Sequence, residues 1–532
     1  MMRCDAILVL LLTKSIVTNS FIPHPPFSKQ TKQIFSSEWK SDFEDFLPDF
    51  DESGKEEDLL VSKFFPSTAS SDDLSACRAR QLSLGADLVL TDYAGSMGFD
   101  MVTDWEYYYA DEDDDDIRRV VQPNPLDPSQ PKRTRESSGS VVRIFRGEFA
   151  GRLGSSVRAR GLDRRVLIKE FSGQMALDLA RAELVSIGKL QSDLIATIDG
   201  AKDGDWVKAA TSRTSTTLGQ RQDDSNVCRL IERLNKAPYM GILGEVNLAE
   251  LEDDLDPNEF YRAMGVKPPS SDAIWIVYEY AGLRSLQIYA KPAEVRRSLL
   301  PPQRGLFGPT PPAAIPRWND RARYVRAIIR QCLEGVATLH ESGIAHHSIG
   351  QSSLLISSPN MDKAEASSPY TVNPSMLAMK LADFGFSGRM DLSTYDSDFI
   401  RRAKTFGLFF QERAEPTEEC VRYAMAEDLH ALGFVTVGLL LTSLAEVSDP
   451  KQNIPATDED TLQRLMTDIF GKDMEQFRDY VEAEEDIWID VVEMLDKSDG
   501  WSLLDALCFA RERVVEDKFV TARELLKHQF FR

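Results

Sequence analysis

The chain is short of three things. The first is paired cysteine: six cysteines, at positions 4, 77, 228, 332, 420 and 508, are scattered with no CxxC spacing. That excludes a disulfide framework and a cysteine-based zinc site, and leaves small apolar side chains in a reduced compartment. The second is positive charge. Sixty-two basic side chains stand against 85 acidic ones, for a net charge of −23, which argues against nucleic acid as a main partner because phosphate backbones recruit basic faces. The third is a long apolar run. The most apolar internal stretch, LHALGFVTVGLLLTSL at 429–444, has an apolar core of about 13 residues where a span needs about 20. It predicts a buried central helix, and no transmembrane span in the mature chain. No internal repeat is visible.

At 532 residues and 42 % hydrophobic, the chain can bury a sizeable core and is long enough for two or three domains. Its start, MMRCDAILVLLLTK, sets Arg3 before an apolar run from Ala6 to Leu12. That run is too short for a mature span and fits a secretory signal over 1–20. A stretch with a single acidic residue follows over 21–40, opening Phe21-Ile22-Pro23 and continuing FSKQTKQIFSSEWK. The combination resembles the bipartite plastid presequence of algae with secondary plastids. Plain secretion or an endomembrane destination is the alternative.

Residues 41–140 read as an acidic, partly disordered region and linker, with acidic runs at 41–58 and Asp111–Asp116 and four prolines in 122–139. From Val141 short apolar runs alternate as in twisted strands. Stretches 196–234 (polar and charged), 291–317 (proline-rich) and 357–376 (Ser- and Pro-rich) read as inserted loops. Arg321–Ser342 carries Val325, Ile328, Ile329, Cys332, Leu333, Val336 and Leu339 at helical spacing and stops at Gly343.

Chemistry concentrates in a few places. RVLIKEF at 165–171 puts Lys169 inside an apolar strand, where an unpaired lysine is costly. AGRLGSSV at 150–157, with Gly151, Gly154 and Val157, reads as a glycine-containing turn between strands, of the kind that lets backbone amides approach phosphates, although ordinary hairpins need glycine too. DLARAELVSIGKLQ carries Glu183 on a helix whose apolar face packs inward, a carboxylate for the lysine. IWIVYEYAGL gives a buried strand with a polar pivot at Glu279, and MKLADFG delivers Asp383 at the end of another strand.

In this order the motifs resemble a eukaryotic-type protein kinase domain running from about 141 to the C-terminus. VLIK is similar to the β3 lysine motif, Glu183 to its helix-C partner, YEY to the hinge, DFG to the magnesium motif, AEDLHALG (Asp428, Gly433) to the central helix, and TARELLKHQFF to the closing helix. The resemblance implies an α+β bilobal fold: a small antiparallel β lobe with helix C over 141–280, and a larger mainly α lobe over 281–532. It implies ATP and Mg²⁺ as cofactors. Gly151, Gly154, Val157, Lys169, Glu183, Glu279 and Ala281 would lie on the nucleotide, and Asp383, with Ser353 more weakly, on the metal.

The chain departs from the family in several places. Counted back from Val157, the three glycine positions hold Ala150, Arg152 and Ser155. Ala414-Glu415-Pro416 is a scrambled form of the family's APE, and FVTA at 519–522 lacks the arginine that pairs with it. The catalytic loop departs furthest. GIAHHSIGQSS puts Ser348 where the aspartate base belongs, Gly350 where the phosphate-neutralising lysine belongs, Ser353 at the second metal ligand, and His347 at the usual arginine. A positioned base contributes about 10²–10⁴-fold, and electrostatic neutralisation is the larger part of phosphoryl transfer. The expectation is an ATP-binding pseudokinase with a regulatory or scaffolding role and an unknown protein partner. The alternatives are an active atypical Ser/Thr kinase and an interaction module that binds no nucleotide.

Overall fold

A computed structural model describes residues 81–103, 123–124, 127–131, 134–199, 217–246, 273–282, 285–289, 303–305, 308–310, 318–357, 377–390, 397–410, 416–445, 455 and 457–532. The presequence, the Asp111–Asp116 run, Ala414 and Glu415 lie outside them. The architecture is mixed α+β: a small, mainly antiparallel sheet, followed in sequence by a larger helical region.

The sheet strands are β1 (Gln81–Leu82), β2 (Leu88–Thr103), β3 (Thr134–Phe149), β4 (Arg165–Ser172), β5 (Ile242–Val246) and β6 (Ile274–Glu279), in the order β1-β5-β6-β4-β3-β2. Five are antiparallel; the two-residue β1 joins β5 in parallel. Strand β4 lies in the middle, with Lys169 opposite Ile144 on one side and Ile276 on the other. Burial on both faces explains its near-continuous apolar sequence. Helix α1 (Gly151–Ala159) joins β3 to β4, and α2 (Gln174–Asp199) and α3 (Thr217–Leu234) follow.

Two parts of this region differ from the sequence reading. The sheet starts well before Val141. Residues 81–103 supply two strands, whose apolar alternation is diluted by Gly95, Gly98 and Asp100. The tract 196–234, read as an inserted loop, ends in helix α3, with Val227, Leu230, Ile231 and Leu234 all buried. Their spacing is that of one helical face.

The helical region is built on α4 (Trp318–Glu341) and α6 (Glu418–Ser443). Helix α4 matches its predicted extent and ends before Gly343, whose φ of +72° supplies the left-handed stop. Helix α6 is capped by Thr417, whose hydroxyl accepts the Cys420 N–H. Among the described residues it is the one helix long and apolar enough to cross a bilayer, and its apolar window is 83 % buried inside the protein. Its close approach to α8 (Gly500–Cys508) depends on Gly433, where a Cβ would stand 2.8 Å from the Cys508 nitrogen. Each fully buried Leu, Val or Phe on such a helix contributes about 1.5–3 kcal/mol. Cys228, Cys332, Cys420 and Cys508 are buried and outside any disulfide, as expected of cysteines used for packing.

Candidate functional site: a buried lysine triad and a polar loop

Lys169 projects from the middle of β4 and is 3 % exposed. Its Nζ lies 2.9 Å from Glu183 Oε1 on α2 and 3.0 Å from Asp383 Oδ1. It also sits over the Tyr278 ring, 4.9 Å from the centroid. Burial works against the ammonium, but the charges of Glu183 and Asp383 outweigh it and raise the lysine pKa. Glu183 is 1 % exposed, whereas the Asp383 side chain is 42 % exposed. Asp383 follows strand β9 (Ala378–Leu381), which pairs with β8 (Leu354–Ser357), and takes a left-handed backbone at φ +64°. Three of the residues read from sequence, 214 positions apart at the extremes, thus meet at one point.

The GIAHHSIGQSS stretch runs from β7 (Ile344–Ala345) to β8. One carboxylate holds it. Asp428, on α6, accepts the His346 N–H at 2.7 Å and the His347 N–H at 2.8 Å, and its Oδ2 also meets His340 Nε2 at 3.1 Å. His347 bends through φ +57° and stacks edge-on with Phe399 of helix α5 (Ser397–Thr405). His346 is fully buried against Phe384, and its Nε2 lies 3.1 Å from the Ala382 carbonyl. Burial lowers its pKa, against the pull of the Asp428 charge.

Past Ser348 the loop closes on itself. The Ser353 hydroxyl accepts the Gly350 N–H and donates to the Gly350 carbonyl, both at 3.0 Å. The turn uses its hydrogen and one of its two lone pairs. Glu459, the first residue of α7 (Glu459–Arg464), approaches from outside: its Oε1 accepts the Gln351 N–H at 2.9 Å. Its Oε2 lies 3.3 Å from where a Cβ on Gly350 would be. The space into which a lysine would grow therefore faces a carboxylate, whose pKa burial raises.

Other residues fall elsewhere. Gly151, Gly154 and Val157 do not form a turn; they lie in helix α1. Gly154 is glycine because a Cβ would come 2.3 Å from the Phe149 carbonyl, and Gly151 faces the Ala86 carbonyl at the same distance. Val157 is fully buried. The helix lies in the connection between β3 and β4, and residues 160–164 and the first four of β4 stand between it and Lys169 in sequence. Glu279 ends β6, but its carboxylate turns into the interior: Oε1 lies 2.6 Å from Lys380 Nζ and accepts the Gly241 N–H at 3.1 Å. Ala281 follows it, buried.

Sequence reasoning missed Lys380, Tyr278 and Glu459. Lys380 carried the signal that revealed Lys169, a lysine inside an apolar strand. Tyr278 sits in an ordinary strand pattern, and nothing near Glu459 in sequence marks it. A cluster around Glu427 was missed as well: Arg402 binds it through two nitrogens at 3.1 and 2.8 Å, Tyr423 donates to it at 3.2 Å, and Arg511 stands at 3.7 Å. It anchors α5 to α6.

The triad suits a magnesium-bound polyphosphate. A buried ammonium sits beside a part-exposed carboxylate, and Mg²⁺ is commonly held by one or two carboxylates with phosphate oxygens completing its shell. Among the described residues no group of three or more His, Cys, Asp or Glu side chains could hold a metal alone, so the phosphates would have to contribute. Compared with known proteins, the chain matches no family model, and no curated protein matches it.

Proposed function

We propose that this chain is a protein kinase-like protein with a two-lobed fold that binds ATP·Mg²⁺ through Lys169, Glu183 and Asp383, does not transfer phosphate by the usual route, and works as a regulatory or scaffolding pseudokinase. The observation that carries the nucleotide part is the triad. A lysine this buried is expensive to keep charged, and the two carboxylates that keep it so are those the resemblance assigns to orienting it and to binding the metal. Lys169 would hold the α- and β-phosphates, Glu183 would fix Lys169, and Asp383 would take the metal, which neutralises phosphate charge when bound.

The second half of the reading rests on the loop. Ser348 offers a hydroxyl in place of a carboxylate base, Gly350 offers no charge, and Ser353, where the second metal ligand belongs, offers a neutral hydroxyl whose hydrogen goes to the Gly350 carbonyl. Glu459 is the approaching carboxylate, and it favours the rival reading of an active atypical kinase. One of its oxygens, however, is already bonded to the Gln351 N–H. The plastid address remains part of the proposal and rests on residues 1–40 alone.

The nucleotide claim is tested by thermal unfolding with and without ATP and Mg²⁺. At ligand 100-fold above Kd, binding to the native state adds about 2.7 kcal/mol. For a chain this size that is a rise of several degrees. The wild type is expected to show it and Asp383→Asn to show a smaller rise; no rise in the wild type contradicts nucleotide binding.

A further inference from the structure

A second buried ion pair lies beside the triad. Lys380 and Glu279 are each 3 % exposed and 2.6 Å apart. Lys380 Nζ also donates to the Leu234 carbonyl at 2.6 Å. The chain around Leu234 to Gly241 is in turn pinned to both strands. Pro238 accepts the Leu381 N–H at 2.9 Å, Met240 donates to the Leu381 carbonyl at 2.8 Å, and Gly241 accepts the Glu279 N–H at 3.1 Å. Lys380 stands three residues before Asp383 on β9, and Glu279 two residues before Ala281 at the end of β6. The pair therefore fixes the strand that delivers the metal carboxylate against the strand end that the nucleotide reading places on ATP.

An ion pair so deep is not explained by stability. A well-packed apolar pair of equal volume usually does as well, while removal of one partner leaves a stranded charge. What an apolar pair cannot do is set the spacing of two strand ends through directed bonds at both partners. We propose that Lys380 and Glu279 are positioning residues that hold Asp383 where one Mg²⁺ engages it and bound ATP together, so that metal and nucleotide binding are coupled through this pair. The proposal rests on the nucleotide reading above.

The test is ATP affinity of the full chain by calorimetry, in Mg²⁺ and in EDTA, with melting temperatures measured alongside. In the wild type Mg²⁺ is expected to tighten ATP within the usual range for coupled sites, about 5- to 150-fold. The double variant Lys380→Met/Glu279→Leu strands no charge, so its melting temperature should stay nearer the wild type than that of Lys380→Met. Its Mg²⁺ enhancement should nevertheless fall to within about twofold of none, well below that coupled range. Glu279→Gln keeps an acceptor oxygen without the charge and should lose part of the enhancement; if the double variant does not fold, this variant decides. Wild-type enhancement in a folded double variant, or in Glu279→Gln where only that one folds, overturns the positioning role and leaves nucleotide binding intact. No ATP binding by the wild type overturns both.

Discussion

Asp428→Ala is expected to destabilise the fold by about 3–5 kcal/mol, because it strips the acceptor from two backbone N–H groups and one imidazole at once, and each abandoned buried donor costs about 1–3 kcal/mol. The carboxylate is 1 % exposed and holds His346, His347 and His340 together. Asp428→Asn retains one oxygen and is expected to lose about half as much. Denaturant unfolding of the three proteins checks the order. The same residue sets an acid limit. Burial would raise its pKa, but the hydrogen bond from His340 and the charge of the neighbouring imidazoles lower it to about 2 from 3.8. On acidification the unfolded carboxylate takes its proton first. The stability it supplies is therefore complete above pH 4 and lost between about 4 and 2, roughly 2 kcal/mol in all. His430 gives way earlier. Burial, with the charge of Arg511, holds its pKa near 3, so stability falls as pH drops from 6.5 towards 3. Asp428→Asn should remove the steeper loss below pH 4 and leave the earlier one.

Lys169→Met should be as damaging and should abolish the nucleotide response. The methionine fills the space of the lysine stem, but Glu183 would remain buried with no counter-charge, a loss of about 3–5 kcal/mol for a broken buried pair. Asp383 suffers less because water reaches it. Lys169→Met/Glu183→Leu leaves neither charge stranded. It is therefore expected to recover most of the stability and none of the ATP-induced rise in melting temperature. This separates the two roles of the lysine: if the double variant still responds to ATP, the nucleotide does not depend on Lys169.

What could be read from sequence depended on how much each residue costs in the wrong place. A lysine in an apolar strand must be paired, so Lys169 pointed to Glu183; Asp383 was read separately from its DFG motif, and the structure brings it to the same ammonium. Helices α4 and α6 were legible for a similar reason, since their apolar spacing or near-continuous apolar surface leaves few alternatives. Glycine is ambiguous. Gly151 and Gly154 look like phosphate-loop residues, but the structure uses them where a helix crosses the carbonyls of Ala86 and Phe149. Strand β2 was hidden by its glycines and aspartates, and helix α3 by the charged residues on its outer face. Glu279 was seen as an oddity at the end of a buried strand, but the partner its carboxylate takes in the interior was not. Its partner Lys380 is 101 residues away, and Glu459 reaches Gln351 across 108; pairings at that range are set by the fold and have no local signature.

The proposal is that Lys169, Glu183 and Asp383 hold ATP·Mg²⁺ while the loop at 343–353 does not move its phosphate. The most direct test is transfer of labelled γ-phosphate from ATP to the full-length protein itself and to a generic protein substrate, with Asp383→Asn as the control. The account predicts wild-type incorporation no greater than that of Asp383→Asn, from a protein whose melting temperature nonetheless rises with ATP and Mg²⁺. Robust incorporation by the wild type that Asp383→Asn abolishes would contradict it.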